Sequence, residues 1–188
     1  MRGKIHSNGY WEGSESSSQH KHDPSLSSAL VEFFREENID TLVDFGCGMG
    51  KYVEHFNDCN INACGYDGNP NTPEMTNNTC LVLDLSVPKK FDKPFSWVMS
   101  LEVGEHLPRQ FEDIFIGNLH NNNEKGIVLS WALKGQGGDG HLNEQNNDYI
   151  KRKICKLGYE NDTNAEQVLR ESSSLWWFKN TIMVFRKV

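Results

Sequence analysis

From residue 41 onward, strand-length apolar runs alternate with helical patterns, and few folds accommodate that alternation. Residues 41–45, 63–66, 80–83, 97–101 and 127–131 are apolar, rich in β-branched or aromatic side chains, and closed by Gly, Asp or Pro. Between them stand helical sets: Tyr52, Val53 and Phe56; then Phe111, Ile114, Phe115 and Leu119 after Pro108. A third set, Tyr149, Ile150, Ile154 and Leu157, stops at Gly158. Near-continuous apolar strands separated by helices are the pattern of a parallel sheet covered on both faces. The last run, 181–185, follows Gly158 and Tyr159 without a clear crossover helix, which predicts that it runs antiparallel.

The 188 residues make one domain. A chain of this length buries roughly 70% of its unfolded surface and folds without disulfides or a structural metal. Residues 1–22 are rich in Gly, Ser and His, have no period, and read as a tail or lid before a domain spanning 23–188. At the boundary Asp23 is an N-cap, Pro24 suits the first helical position, and Leu26, Ala29, Leu30, Phe33 and Phe34 repeat with a helical period. The segment Tyr10, Trp11, Glu12, Gly13 and the pair His20, His22 suit closure over a site, and suit a solvated tail equally. No run approaches the ~20 apolar residues of a membrane helix, and residues 1–23 hold no signal core. A cytoplasmic protein is expected. Five cysteines without a CxxC pair suit reduced thiols.

In a doubly wound sheet the ligand lies beyond the carboxyl ends of the strands, where strand order reverses. After the first run the chain reads Asp44, Phe45, Gly46, Cys47, Gly48, Met49, Gly50, a DxGxGxG turn into a helix. A nucleotide triphosphate loop would end in Lys followed by Ser or Thr, but Tyr52 follows Lys51. A dinucleotide fingerprint beginning at Gly46 would need glycine where Lys51 stands. Asp44 would repel a pyrophosphate and would accept hydrogen bonds from an ammonium group.

This turn resembles motif I of the class I S-adenosylmethionine-dependent methyltransferases. Three further segments extend the likeness in order: Gly65, Tyr66, Asp67; then Leu83, Asp84, Leu85; then residues 98–108 with Leu101, Glu102, Glu105 and His106. The resemblance implies a Rossmann-like, seven-stranded, mostly parallel sheet with helices on both faces and S-adenosyl-L-methionine as cofactor. It implies that Asp44, Gly46, Cys47, Gly48 and Gly50 cradle the cofactor and that Asp67 bridges the ribose. Asp84 and Leu85 would meet the adenine, and Leu101 would line the same pocket.

Glu102, Glu105 and His106 stand at i, i+3 and i+4, one face if the chain turns helically there. The ExxEH segment is similar to the metal-binding element of ubiquinone-pathway O-methyltransferases and of enzymes that methylate the terminal ribose of small RNAs. The second group adds a later histidine, a place that His141 occupies. Three readings stay open: Glu102, Glu105, His106 and His141 hold Mg²⁺ or Mn²⁺; His106 or His141, with Glu105, serves as a metal-free general base; or the residues are structural.

With the core fold using nearly all residues from Asp23, little chain remains to enclose an acceptor. Trp11, Trp131, Trp176 and Trp177 are candidate walls, although packing against the sheet is the expected role of Trp176, Trp177 and Phe178. The net charge of −7 with scattered basic residues disfavours a nucleic-acid track. The resulting expectation is O-methylation of a small molecule or carbohydrate. Ribose methylation at RNA ends and a non-catalytic binding scaffold are the alternatives.

Overall fold

The computed structural model describes residues 4–13 and 20–188; the remainder of the amino-terminal segment lies outside the described residues. A two-stranded hairpin, β1 (Lys4–Ile5) and β2 (Trp11–Glu12), precedes the domain. The sheet then contains β3 (Leu42–Phe45), β4 (Ala63–Asp67), β5 (Cys80–Val82), β6 (Phe95–Ser100), β7 (Asn123–Leu129), β8 (Tyr159–Asn161) and β9 (Met183–Lys187). Their spatial order is β5-β4-β3-β6-β7-β9-β8, with β9 antiparallel to both neighbours and the other pairings parallel. The seven-stranded, mostly parallel sheet and its antiparallel last strand match the expectation. The chain builds outward from β3 to β5 and then returns to lay β6 on the other side of β3. That reversal opens a crevice at the carboxyl ends of β3 and β6.

Helices α1 (Pro24–Glu36), α2 (Lys51–Asp58), α3 (Thr72–Met75), α4 (Glu112–Asn121), α5 (Asn147–Cys155), α6 (Thr163–Ser172) and α7 (Phe178–Thr181) complete the fold. Strand side chains alternate between two cores, as the two-residue strand period requires. Leu42, Trp97, Met99, Val128 and Val184 face α1, α2 and α6, where Leu30, Phe34, Phe56 and Leu169 pack. Val43, Val98, Ile127, Leu129 and Phe185 face α4 and α5, against Phe115, Leu119, Ile150 and Ile154. All these side chains are buried, which is why the strands read as continuous apolar runs.

Beyond the sequence reading, the segment between Gly158 and β9 holds both β8 and α6. Asp162 caps α6 by accepting from the Ala165 N–H at 2.9 Å. Among the described residues no helix is long and apolar enough to cross a membrane.

Candidate active site

A pocket of about 390 Å³ opens at the reversal point. Its cofactor side is built on the turn after β3. The amides of Gly46 and Cys47 donate to the Tyr66 carbonyl at 2.7 and 3.1 Å, bending the chain back over β4. Gly46 and Gly48 have φ of 84° and 52°. A Cβ on Gly46 would stand 2.2 Å from Val103, and one on Gly48 would stand 2.5 Å from the His20 ring, so both positions require glycine twice over.

Asp67 closes this turn from β4. Its two oxygens accept the amides of Gly48 and Asn69, each at 2.9 Å, and each retains a lone pair toward the pocket. Asp44 is buried beneath the turn; burial first, then Cys80 and Asp67, push its carboxyl well above the usual range. Asp84 binds the Ser86 amide and hydroxyl through Oδ1 and the Asn8 amide through Oδ2 at 2.7 Å. Burial raises its carboxyl, but the Ser86 and Asn8 bonds outweigh that and hold it below the usual value. Cys47, Leu85 and Leu101 also line the pocket. Gly50, expected in the cofactor cradle, does not. It is the left-handed N-cap of α2, packed toward the Cys80 sulfur and Thr76.

On the acceptor side the expected helical turn is absent. Glu102 has φ of 53°, and the chain then makes a tight turn closed by the His106 amide on the Val103 carbonyl at 3.0 Å. The three acceptor residues therefore do not share a helix face. The Glu102 carboxylate takes the Thr181 hydroxyl and the Gln136 side-chain amide, both at 3.1 Å, and stands outside the cluster it was expected to join.

Glu105, His106 and His141 do converge, with one potential ligand atom from each lying within 4.8 Å of the others. Glu105 is fully buried and, unlike His106 and His141, does not itself line the pocket; neither carboxyl oxygen makes a well-formed hydrogen bond, although the Ala132 amide and the Glu102 carboxyl lie close by. Burial, and then the neighbouring Glu102, push its carboxyl well above the usual range. Burial, with His141 adding to it, lowers the His106 imidazolium to about 4, so the ring is neutral near pH 7. The two imidazoles meet edge to face with centroids 5.0 Å apart. His106 Nδ1 lies 3.3 Å from the Gly140 carbonyl, and His141 Nδ1 lies 2.9 Å from Glu144 Oε1.

These residues fit a divalent cation. A buried carboxylate is costly unless it takes up a proton or a cation compensates it, and no ion pair reaches Glu105 or Glu102 among the described residues. One oxygen donor and two imidazoles form a mixed O/N set suited to Mg²⁺, Mn²⁺ or Fe²⁺.

The hairpin lies across both halves of the pocket. Tyr10 packs on Gly68, Gly9 lies against the His106 carbonyl, and Trp11 meets the His106 ring at 6.3 Å. Of the other expected walls, Trp176 borders the pocket while 59% exposed, and Trp177 also borders it. Trp131 is instead a buried strut, donating from Nε1 to the Asn143 carbonyl at 2.6 Å. Phe178 alone of its group is fully packed. Asn8, Gln136 and Glu144 escaped the sequence reading; only Glu144, three residues beyond His141, stood close enough in sequence to suggest its partner.

The sequence model of a methyltransferase domain family matches residues 18–129, well over half of the chain. The chain belongs to this family. Its fold and motifs place it among the class I S-adenosylmethionine-dependent methyltransferases. Magnesium protoporphyrin IX methyltransferase from Synechocystis, solved with bound S-adenosylhomocysteine, superposes with a TM-score of 0.66 at 14% identity, over 93% of this chain and 84% of that one. The methyltransferase domain of bacterial CtHen1 gives 0.60 at 18% identity, over 87% and 98%. An S-adenosylmethionine-bound amino pentose methyltransferase from Micromonospora echinaspora gives 0.65 at 12% identity, over 86% and 90%. At these identities the structural likeness speaks for the shared methyltransferase fold. No curated protein sequence matches the chain.

Proposed function

We propose that this methyltransferase transfers the methyl group to a hydroxyl of a small molecule or carbohydrate, with Mg²⁺ or Mn²⁺ held by Glu105, His106 and His141. The observation that carries the reading is the buried Glu105 carboxyl, without a well-formed hydrogen bond and beside two imidazoles. In this reading Asp44, Gly46, Cys47, Gly48, Asp67, Asp84, Leu85 and Leu101 bind S-adenosyl-L-methionine, whose sulfonium supplies the methyl group. Asp67 orients the ribose, and Asp84 takes the adenine amino group. A bound divalent cation lowers the pKa of a coordinated hydroxyl. His106, neutral near pH 7, has a lone pair available for the cation. Trp11 packs edge-on against the His106 imidazole on the hairpin side.

Charge supports a small or sugar-like acceptor. The pocket is lined by Asp67, Asp84 and Asp139, with the buried carboxyls of Asp44 and Glu102, against Lys21 and Lys51, a poor track for a polyphosphate chain. Labelled methyl transfer across sugars, catechols and short RNAs, with and without chelator, tests the reading. Transfer to a vicinal diol that stops with chelator and with Glu105→Ala is expected. Transfer indifferent to both would remove the metal, and transfer confined to RNA would overturn the acceptor class.

A further inference from the structure

We infer that Glu144 is a positioning residue that holds His141 with its proton on Nδ1 and its Nε2 lone pair free for the site, and that Gly138 seats the face of the same ring. The inference rests on the reading of His141 as an acceptor-side residue.

Three N–H groups converge on one carboxylate. Glu144 Oε1 lies 2.9 Å from His141 Nδ1 and accepts the Gly137 amide at 2.7 Å, while Oε2 accepts the Gly135 amide at 2.7 Å. Backbone amides only donate, so both oxygens act as acceptors, and the imidazole nitrogen facing them is the one that carries the proton. A neutral imidazole with Nδ1–H has its lone pair on Nε2, the arrangement by which carboxylates orient histidines in metal and proton-transfer sites. Gly135 and Gly137 have φ of 86° and 72°, which allows the loop to turn both amides inward.

The same loop is stitched to the cluster. The amides of Leu142 and Asn143 donate to the Glu105 carbonyl at 2.8 and 2.9 Å, so the segment carrying His141 and Glu144 is fixed to the main chain of Glu105 itself. Gly138 supplies an independent observation. Its φ is not in the left-handed region, yet a Cβ there would stand 2.2 Å from His141 Nε2. Glycine at this position is thus required because its backbone packs on the face of the His141 ring, where any Cβ would displace the imidazole.

Long-range ¹H–¹⁵N NMR of His141 and electron paramagnetic resonance of free Mn²⁺ test this in wild type, Glu144→Ala, Glu144→Gln and Gly138→Ala. Wild type is expected to show the Nδ1–H tautomer. Glu144→Ala should relax toward the tautomer mixture of a free imidazole and raise the Mn²⁺ dissociation constant about 10- to 100-fold. Glu144→Gln keeps an acceptor oxygen and should restore the tautomer and most of the affinity. Gly138→Ala, whose methyl would collide with the ring face, should displace the imidazole and weaken Mn²⁺ binding. S-adenosylhomocysteine affinity, unchanged in all four proteins, reports that the fold is retained. If Glu144→Ala retains both the tautomer and the Mn²⁺ affinity, Glu144 is only a loop anchor and the inference falls. If wild type binds no Mn²⁺ while the tautomer is still lost in Glu144→Ala, the metal reading falls and the positioning of His141 stands.

Discussion

Glu105 sets stability against function at a single side chain. Its carboxyl makes no well-formed hydrogen bond, lies beside Glu102, and sits where burial resists its ionisation. A buried polar group without a partner costs about 1–3 kcal/mol, and more when charged. In chelator-treated protein at pH 8, Glu105→Gln is therefore expected to be more stable than wild type, each kcal/mol raising the melting midpoint by roughly 2–4 °C. Adding Mn²⁺ should raise the midpoint of wild type and leave the variant unmoved. Calorimetric scans in which chelated wild type melts higher would remove the electrostatic argument for a cation. Asp67 carries a different load, because its oxygens already anchor two amides of the cofactor turn and still face the pocket. Asp67→Ala is expected to weaken S-adenosylhomocysteine binding about ten- to hundredfold or more, read by titration calorimetry, through the loss of charge-assisted bonds worth about 1.5–3 kcal/mol each.

Helix α1 shows how an element depends on a residue far away in the chain. Asp23 caps it by accepting the amides of Ser25 and Leu26, both at 3.1 Å. The same carboxylate accepts the Ser174 amide at 2.7 Å, the Ser174 hydroxyl at 2.9 Å and the Leu175 amide at 2.9 Å. It thereby ties α1 to the segment that presents Trp176 and Trp177 to the pocket. Burial raises the Asp23 carboxyl, but these bonds outweigh it and hold it below the usual value. A carboxyl lowered in the folded state stabilises fully above its unfolded pKa of about 3.9 and loses that contribution as pH falls through its folded value. Asp23→Ala should lose about 1–3 kcal/mol at pH 7 and show a shallower fall in stability below pH ~4 than wild type. Denaturant melts with parallel pH dependence in the two proteins would show that Asp23 is not the linked group. The start of α1 was legible because Asp23 and Pro24 signal it locally, whereas the bonds to Ser174 and Leu175 were not. Strand β8 and helix α6 were missed for a related reason. β8 has three residues, and α6 turns only Ala165 and Leu169 toward the core while exposing Val168, too thin a stripe to show a period. The left-handed backbone at Glu102 had no signal either, since glutamate seldom adopts it. The expected grouping of Glu102 with Glu105 and His106 failed there, while the meeting of Glu105, His106 and His141 survived because strand order alone brings their loops to one end of the sheet.

Across the whole molecule, the hairpin connects the two ends of the pocket. Asn8 occupies Asp84 at the proposed adenine end, Gly9 and Trp11 rest on His106, and Ile5 lies near Gly140 of the loop that carries His141. Strands β3, β4 and β6 lend the pocket its floor, and Asn8, Gly9, Tyr10 and Trp11 of the hairpin line it from the other side. On the proposed role of Asp84, the Asn8 side-chain amide makes the same kind of bond to Oδ2 that an adenine amino group would make, so the two compete for one acceptor. Entry of the cofactor then requires Asn8 to yield or to share Oδ2 through its second lone pair. Asn8→Ala removes the competitor without touching the floor of the site, and it should tighten S-adenosylhomocysteine binding several-fold, about 1 kcal/mol for one hydrogen bond no longer exchanged. The same substitution loosens the hairpin over His106, so protease cleavage within the hairpin should quicken in the ligand-free protein. Weaker binding in Asn8→Ala would mean that Asn8 joins Asp84 in holding the adenine, making the hairpin part of the cofactor site instead of a competitor for it.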